Sequence, residues 1–282
     1  MKIFQYTLLF IAGFLLWNCT REDSIDSELK TYRRTYDSTS TDPVKKFEAD
    51  YFYKYDKVFI TDVDTADYLF NFKYKNRIFI RQPEQSEAHL LYGINLMKNL
   101  FMDAYTPGFI KAHFPFSLIL GDDILDDTGF STKQADMYVA NGFIALNIGE
   151  MTQNLSPEEQ KQLSAKLHTA LLVDICWKST SALNLDLFFK HTESTYGKKQ
   201  SSELSQEELY EAGYIKPDPT TFFFTIFPTM NSDISDWINF ILLTPKDELD
   251  EIIHAHDLMK AKYQSLDKAL KDIGIDYRAL MK

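Results

Sequence analysis

Residues 156–178 read SPEEQKQLSAKLHTALLVDICWK, and this stretch decides the fold of the chain. Ser156 is followed by Pro157 and Glu159, a capping box with a proline start that predicts the first turn of a helix. Apolar residues then recur at three- and four-residue spacing, and from Leu171 onward the segment is apolar on nearly all sides. We therefore predict a central helix that begins exposed and ends buried.

The segments around this helix predict a small sheet followed by helices. Strands are predicted at residues 57–60, at 116–120 and in a hairpin over 138–148 that turns at Asn141-Gly142. Residues 51–55 are read as extended, 68–80 as a second hairpin and 121–127 (GDDILDD) as a solvated acidic loop. Helices are predicted at 84–105, 205–213, 233–243 and, as one long C-terminal helix, 244–272. This order predicts an α+β fold with a small mixed sheet, a central buried helix and a helical C-terminal part.

The N terminus has the pattern of an exported protein. Lys2 precedes an apolar run that is too short to span a membrane, so residues 1–18 are read as a signal peptide. Cys19 follows at the position of a lipobox cysteine, which predicts lipidation; an ordinary cleaved signal is the alternative. Residues 19–45 are polar and read as a flexible tether, and residues 46–282 as the folded domain. We expect an outer-membrane lipoprotein that is periplasmic or cell-surface.

Charge and cysteine content argue against two other classes of protein. The formal net charge is -11 and no Lys/Arg cluster stands out, which makes electrostatic binding to nucleic acid unfavourable. The chain has two cysteines in very different contexts, so a disulfide framework is not predicted. Cys176, inside the apolar half of the central helix, is read as a buried structural thiol.

The central helix lacks the pattern of a zinc peptidase. That chemistry needs two histidines four residues apart and a glutamate directly after the first. Counting from His168, Thr169 and Leu172 occupy the glutamate and second histidine positions. Asp174 is expected to pair with Lys178 or to accept a hydrogen bond from outside the helix. His168, Asp174 and Asp236 are therefore only weak metal candidates, and His254 and His256, two residues apart, are read as surface histidines.

Several segments resemble a known family. They are the helix at 84–105, the sequence His113-Phe114-Pro115 before the strand at 116–120, GYIKP at 213–217 and KAKYQSLDKALKDIGIDYRAL at 260–280. Together they are similar to the zinc-binding metallopeptidase lipoproteins of Bacteroidetes, which are often encoded near SusD-type glycan-binding lipoproteins. The resemblance implies a zincin-like domain and a His-Glu-x-x-His motif on the central helix.

The sequence departs from that family at the motif itself. In the best register Leu171, Leu172 and Ile175 take the ligand, base and ligand positions, and Asn239 replaces the glutamate of a downstream Asp-Phe-Ala-Glu motif. We therefore expect no catalytic residue and no cofactor. The expected role is a binding or structural component of the envelope, linked to a glycan- or peptide-uptake complex. The alternative is an active zinc metallopeptidase with unconventional ligands, drawn from the weak candidates and from His254 or His256.

Overall fold

The structure is a computed structural model that describes residues 34–69, 77–127, 131–140, 142–200, 203–218 and 225–281. The predicted signal peptide, Cys19 and part of the predicted tether lie outside these ranges. Residues Asp37–Lys282 form one compact unit. Within the described ranges, no helix has the length and apolar character needed to cross a membrane.

The compact unit combines ten α-helical segments with seven strands among its described residues. The helices are α1 Pro43–Tyr55, α2 Thr65–Tyr68, α3 Glu87–Leu100, α4 Pro107–His113, α5 Pro157–Ala170, α6 Asp186–Lys190, α7 Gln206–Glu211, α8 Met230–Leu243, α9 Lys246–Ala255 and α10 Asp257–Asp272. The strands are β1 Val58–Ile60, β2 Arg77–Arg81, β3 Ser117–Gly121, β4 Asp123–Asp127, β5 Thr132–Ala135, β6 Met137–Ala140 and β7 Phe143–Asn147. Short 3-10 turns lie at Met102–Ala104 and Tyr277–Ala279.

The strands form two small sheets. The first has the order β1-β3-β7-β6, in which the first three strands are parallel and β6 is antiparallel to β7. Its two central strands are buried along their whole length, as expected for parallel strands covered on both faces. The second sheet is antiparallel, with the order β2-β4-β5. The predicted small mixed sheet is thus confirmed, and the second sheet is an addition.

The central helix forms as its sequence predicts and then changes geometry. Ser156 accepts a hydrogen bond from the Glu159 amide while the Glu159 carboxylate accepts one from the Ser156 amide, which completes the capping box. After Ala170 the helix continues as a π-helix over Leu171–Ser179. α5 packs between α3 and α8, so its second half lies inside the main hydrophobic core.

Two predicted segments in the N-terminal half are wrong, and a third is tested only at its ends. Residues 51–55 are helical because Asp42 caps α1 and Pro43 begins it, ahead of the predicted domain start, and Tyr51 and Tyr55 bury one helical face. Residues 123–127 form β4 rather than a loop: Ile124 points into the core, and Asp123 pairs with Arg81 across the strands. The predicted hairpin at 68–80 begins in helix α2, its turn lies outside the described residues, and β2 pairs with β4.

The predicted C-terminal helix is two helices. His256 has an extended backbone, with φ -128° and ψ 119°, and separates α9 from α10. Its imidazole is buried and packs against Tyr210 of α7, with the ring centroids 5.7 Å apart. The reading of His256 as a surface histidine is therefore wrong.

Candidate functional site

His168 lies at the end of α5, fully inside the core. Its Nδ1 accepts a hydrogen bond from the Tyr105 hydroxyl at 2.8 Å, and its Nε2 donates one to the Leu280 carbonyl at 3.1 Å. Burial lowers the pKa of His168 to about 4, so the ring is neutral at physiological pH. Both ring nitrogens are engaged, and neither is free to bind a ligand.

The positions that the family resemblance assigns to the His-Glu-x-x-His motif are all apolar packing residues. Leu171 and Leu172 are completely buried and Ile175 nearly so. All three lie in the π-helical segment and belong to the main core cluster. Their side chains are hydrocarbon, and a metal ion needs nitrogen, oxygen or sulfur donors at these positions. The residues at the motif therefore do not fit a zinc ion.

The other metal candidates lie in separate environments. Asp174 is half-buried and pairs with Lys178 at 2.7 Å, as its spacing predicted. Asp236 lies 3.5 Å from Lys216, and burial raises the pKa of its carboxyl. Asn239 donates a hydrogen bond to the Ser235 carbonyl of its own helix.

Neither C-terminal histidine joins those candidates. His254 is exposed, and its Nδ1 contacts the Asp250 carbonyl at 2.5 Å. The buried His256 lies 3.5 Å from Glu207. Among the residues that the structure describes, no group of three His, Cys, Asp or Glu side chains is arranged to hold a metal ion.

Cys176 is buried in the π-helical segment that follows α5. Burial raises the pKa of its thiol to about 12, so it stays protonated and unreactive. This agrees with the reading of Cys176 as a structural thiol.

The structure also contains a buried ion pair that the sequence analysis did not predict. Lys262 on α10 places its Nζ 2.5 Å from Asp233 Oδ2 on α8, and both side chains are completely buried. The Tyr196 hydroxyl donates to the same Oδ2 at 2.6 Å. Four aromatic rings surround Nζ at centroid distances of 4.4 to 5.8 Å: Phe188, Tyr214, Tyr196 and Trp237.

A sequence signal for this pair exists. Lys262 lies three residues after Met259 and four before Leu266, so it occupies the apolar stripe of an otherwise amphipathic helix. A lysine at such a position needs a buried partner. The sequence around Lys262 does not indicate which residue that partner is.

A surface cavity of about 410 Å³ lies between α1, α3 and α4. It falls in the size range of small-ligand sites. Its lining combines buried aromatic and apolar side chains with charges of both signs: Phe47, Asp50, Tyr51, Lys54, Tyr55, Lys98, Met102, Asp103, Tyr105, Pro107 and Ile110. Tyr105 lines this cavity and also contacts the central helix, because its hydroxyl donates a hydrogen bond to His168.

Comparison with known proteins supports the fold. No family model matches the sequence, and no curated protein is significantly similar to it. A solved structure of a proposed zinc-binding metallo-peptidase from Bacteroides caccae ATCC 43185 is similar, with a TM-score of 0.53 and 13% sequence identity. The match covers 87% of this chain and 92% of that chain. The chain therefore has a metallopeptidase-like fold, as the sequence resemblance predicted.

Proposed function

We propose that this protein is a zincin-like member of the cell envelope that has lost zinc binding and peptide hydrolysis and has kept a binding role. The observation that carries the proposal is the central helix. Its motif positions hold Leu171, Leu172 and Ile175 in the core, and the one histidine on the helix, His168, has both nitrogens engaged.

The apolar replacement is physically self-consistent. A zinc site that lost its metal but kept its ligands would leave polar groups buried without partners, which costs several kcal/mol. Leucine and isoleucine at the same positions fill the space and contribute packing instead. A chain under no demand for catalysis is stabilised by this exchange.

The envelope location rests on the N-terminal sequence. The signal-like residues 1–18 and Cys19 support a lipid anchor, and the polar residues after them support some reach from the membrane. The resemblance to SusD-associated lipoproteins supports a partner in an outer-membrane uptake complex. Nucleic acid is not proposed as a partner because the net charge is -11.

The cavity between α1, α3 and α4 is the proposed binding site, and a short peptide is its proposed ligand. Lys98 and Asp103 both line the cavity, and neither forms an ion pair with any described residue. A zwitterionic peptide fragment supplies a carboxylate for the first and an ammonium for the second. Tyr55 and Tyr105 also line the cavity, and aromatic rings pack well against apolar side chains.

Binding and hydrolysis should be measured on the same preparation. Calorimetry with short peptides and with oligosaccharides is run on the wild type, on Lys98→Ala and Asp103→Ala, and on the control Lys268→Ala, an exposed lysine on α10. We expect peptide binding that weakens about tenfold in the cavity variants, a difference of about 1.4 kcal/mol, and is unchanged in the control. Binding of oligosaccharides alone would refute the peptide assignment.

Hydrolysis is tested with a peptide library in the presence and absence of added zinc. The proposal predicts no cleavage above the buffer control in either condition. Chelator-sensitive cleavage would refute the loss of catalysis and would favour the unconventional-ligand alternative.

A further inference from the structure

We propose that Lys262 and Asp233 form an intramolecular isopeptide bond that joins helix α10 to helix α8. The linked atoms would be Lys262 Nζ and Asp233 Cγ, which belong to residues 29 positions apart in the sequence. The proposal is independent of the proposed binding function.

The first argument is proximity in a dry site. Nζ lies 2.5 Å from Oδ2, and neither side chain reaches solvent. The four aromatic rings around Nζ exclude water from the amine and would later protect an amide from hydrolysis. Holding two reacting groups in contact replaces an encounter step and contributes strongly to the rate of such a condensation.

The second argument is hydrogen-bond accounting. A lysine ammonium has three N–H donors, but within the described part of the chain Nζ donates to two acceptors: Asp233 Oδ2, and Thr192 Oγ1 at 3.4 Å. Asp233 Oδ1 is buried and has no hydrogen-bond partner among the described residues. An amide would carry one N–H, which Thr192 can accept, and no charge. Forming the amide would therefore remove the third N–H donor of the ammonium and the unpartnered Oδ1 from the core.

The third argument is protonation. Burial lowers the pKa of Lys262 to about 8, and burial raises the pKa of the Asp233 carboxyl, with the nearby Asp236 adding to that rise. Both shifts make proton transfer from the ammonium to the carboxylate easier than between the same groups in water, and that transfer gives the amine and acid forms that condense. Burial also raises the pKa of Tyr196 well above its ordinary value, so its hydroxyl stays a donor to Oδ2.

The reaction balances without a further reactant. A proton passes from the Lys262 ammonium to the Asp233 carboxylate across their hydrogen bond. The Nζ lone pair then attacks Cγ, and the Cγ–Nζ bond forms while the Tyr196 hydroxyl polarises Oδ2. The Cγ–Oδ1 bond breaks, and Oδ1 leaves as water with the carboxyl proton and one proton from Nζ, while Oδ2 stays as the amide oxygen and accepts the Tyr196 hydrogen bond. The product is a secondary amide, with no change in oxidation state.

The test is peptide mapping of the full chain by tandem mass spectrometry after proteolysis in denaturant. We expect a linked species that joins the peptide with Asp233 to the peptide with Lys262 and weighs one water molecule less than their sum. Recovery of both peptides only in unlinked form would overturn the proposal.

The same map contains a matched control. Lys268 and Asp272 are also 2.5 Å apart, but both are exposed. We expect this pair to remain unlinked, and linkage of both pairs to the same extent would refute the role assigned to burial. Lys262→Met and Asp233→Ala should each eliminate the linked species. If these variants fold poorly, the wild-type map alone decides the question.

Discussion

Leu172→Ala tests whether the position that the family resemblance assigns to the glutamate of the His-Glu-x-x-His motif is part of the structural core. Leu172 is completely buried in the π-helical part of the central helix and belongs to the main core cluster. The substitution removes three carbon atoms, a transfer loss of roughly 2 kcal/mol at about 0.8 kcal/mol per methylene. The cavity that remains adds about 1–2 kcal/mol, because a packed core relaxes only in part. We expect a total loss of about 3–4 kcal/mol.

The assay is equilibrium unfolding in guanidinium chloride, followed by circular dichroism. The control is Leu187→Ala, a leucine on α6 that is 60% exposed and should lose only a few tenths of a kcal/mol. A loss below about 1 kcal/mol for Leu172→Ala, equal to that of the control, would refute the reasoning. It would mean that Leu172 is loosely packed and that core packing does not occupy the motif position.

Two further predictions concern pH and close backbone packing. The pKa of His168 is lowered by burial to about 4, so the unfolded chain binds more protons between pH 6.5 and 4, and stability falls as the pH falls through this window. Unfolding titrations should show that this group lowers the free energy of unfolding by about 2 kcal/mol between about pH 7 and about pH 4.5. His168→Gln should remove this loss, and the exposed-residue control His254→Gln should retain it. Equal slopes of stability against pH in all three proteins would contradict the prediction. Gly149→Ala would place a methyl carbon 2.1 Å from the Asp122 carbonyl oxygen, whereas Gly108→Ala meets nothing within 4 Å. Thermal unfolding should therefore show a large drop in Tm for the first and almost none for the second, and similar values would exclude the close approach.

Local signals predicted the elements that local interactions determine. The capping box at Ser156 and the antiparallel pairing of β6 with β7 both involve residues close in the sequence, and both form as predicted. The prediction of an extended segment at residues 51–55 was wrong because aromatic residues favour strands only on average. Here the Asp42 cap and the packing of two tyrosines determine a helix.

The features that the sequence did not reveal depend on distant partners. Asp233 is 29 residues from Lys262, and nothing in the local pattern of α8 points to α10. The break at His256, where the ring packs against Tyr210 on α7, is not marked in the sequence by a proline or glycine. For the candidate site, the sequence showed that the histidine pair was missing, but only the structure shows that His168 binds Tyr105 and Leu280.

The most direct test of the central claim is the zinc content of the purified protein after dialysis against zinc and then against buffer, measured by elemental mass spectrometry. The apolar motif positions and the engaged nitrogens of His168 predict far less than one zinc per chain. One zinc per chain, retained through dialysis and lost in His168→Ala, would contradict the account and would show that this protein still builds a metal site.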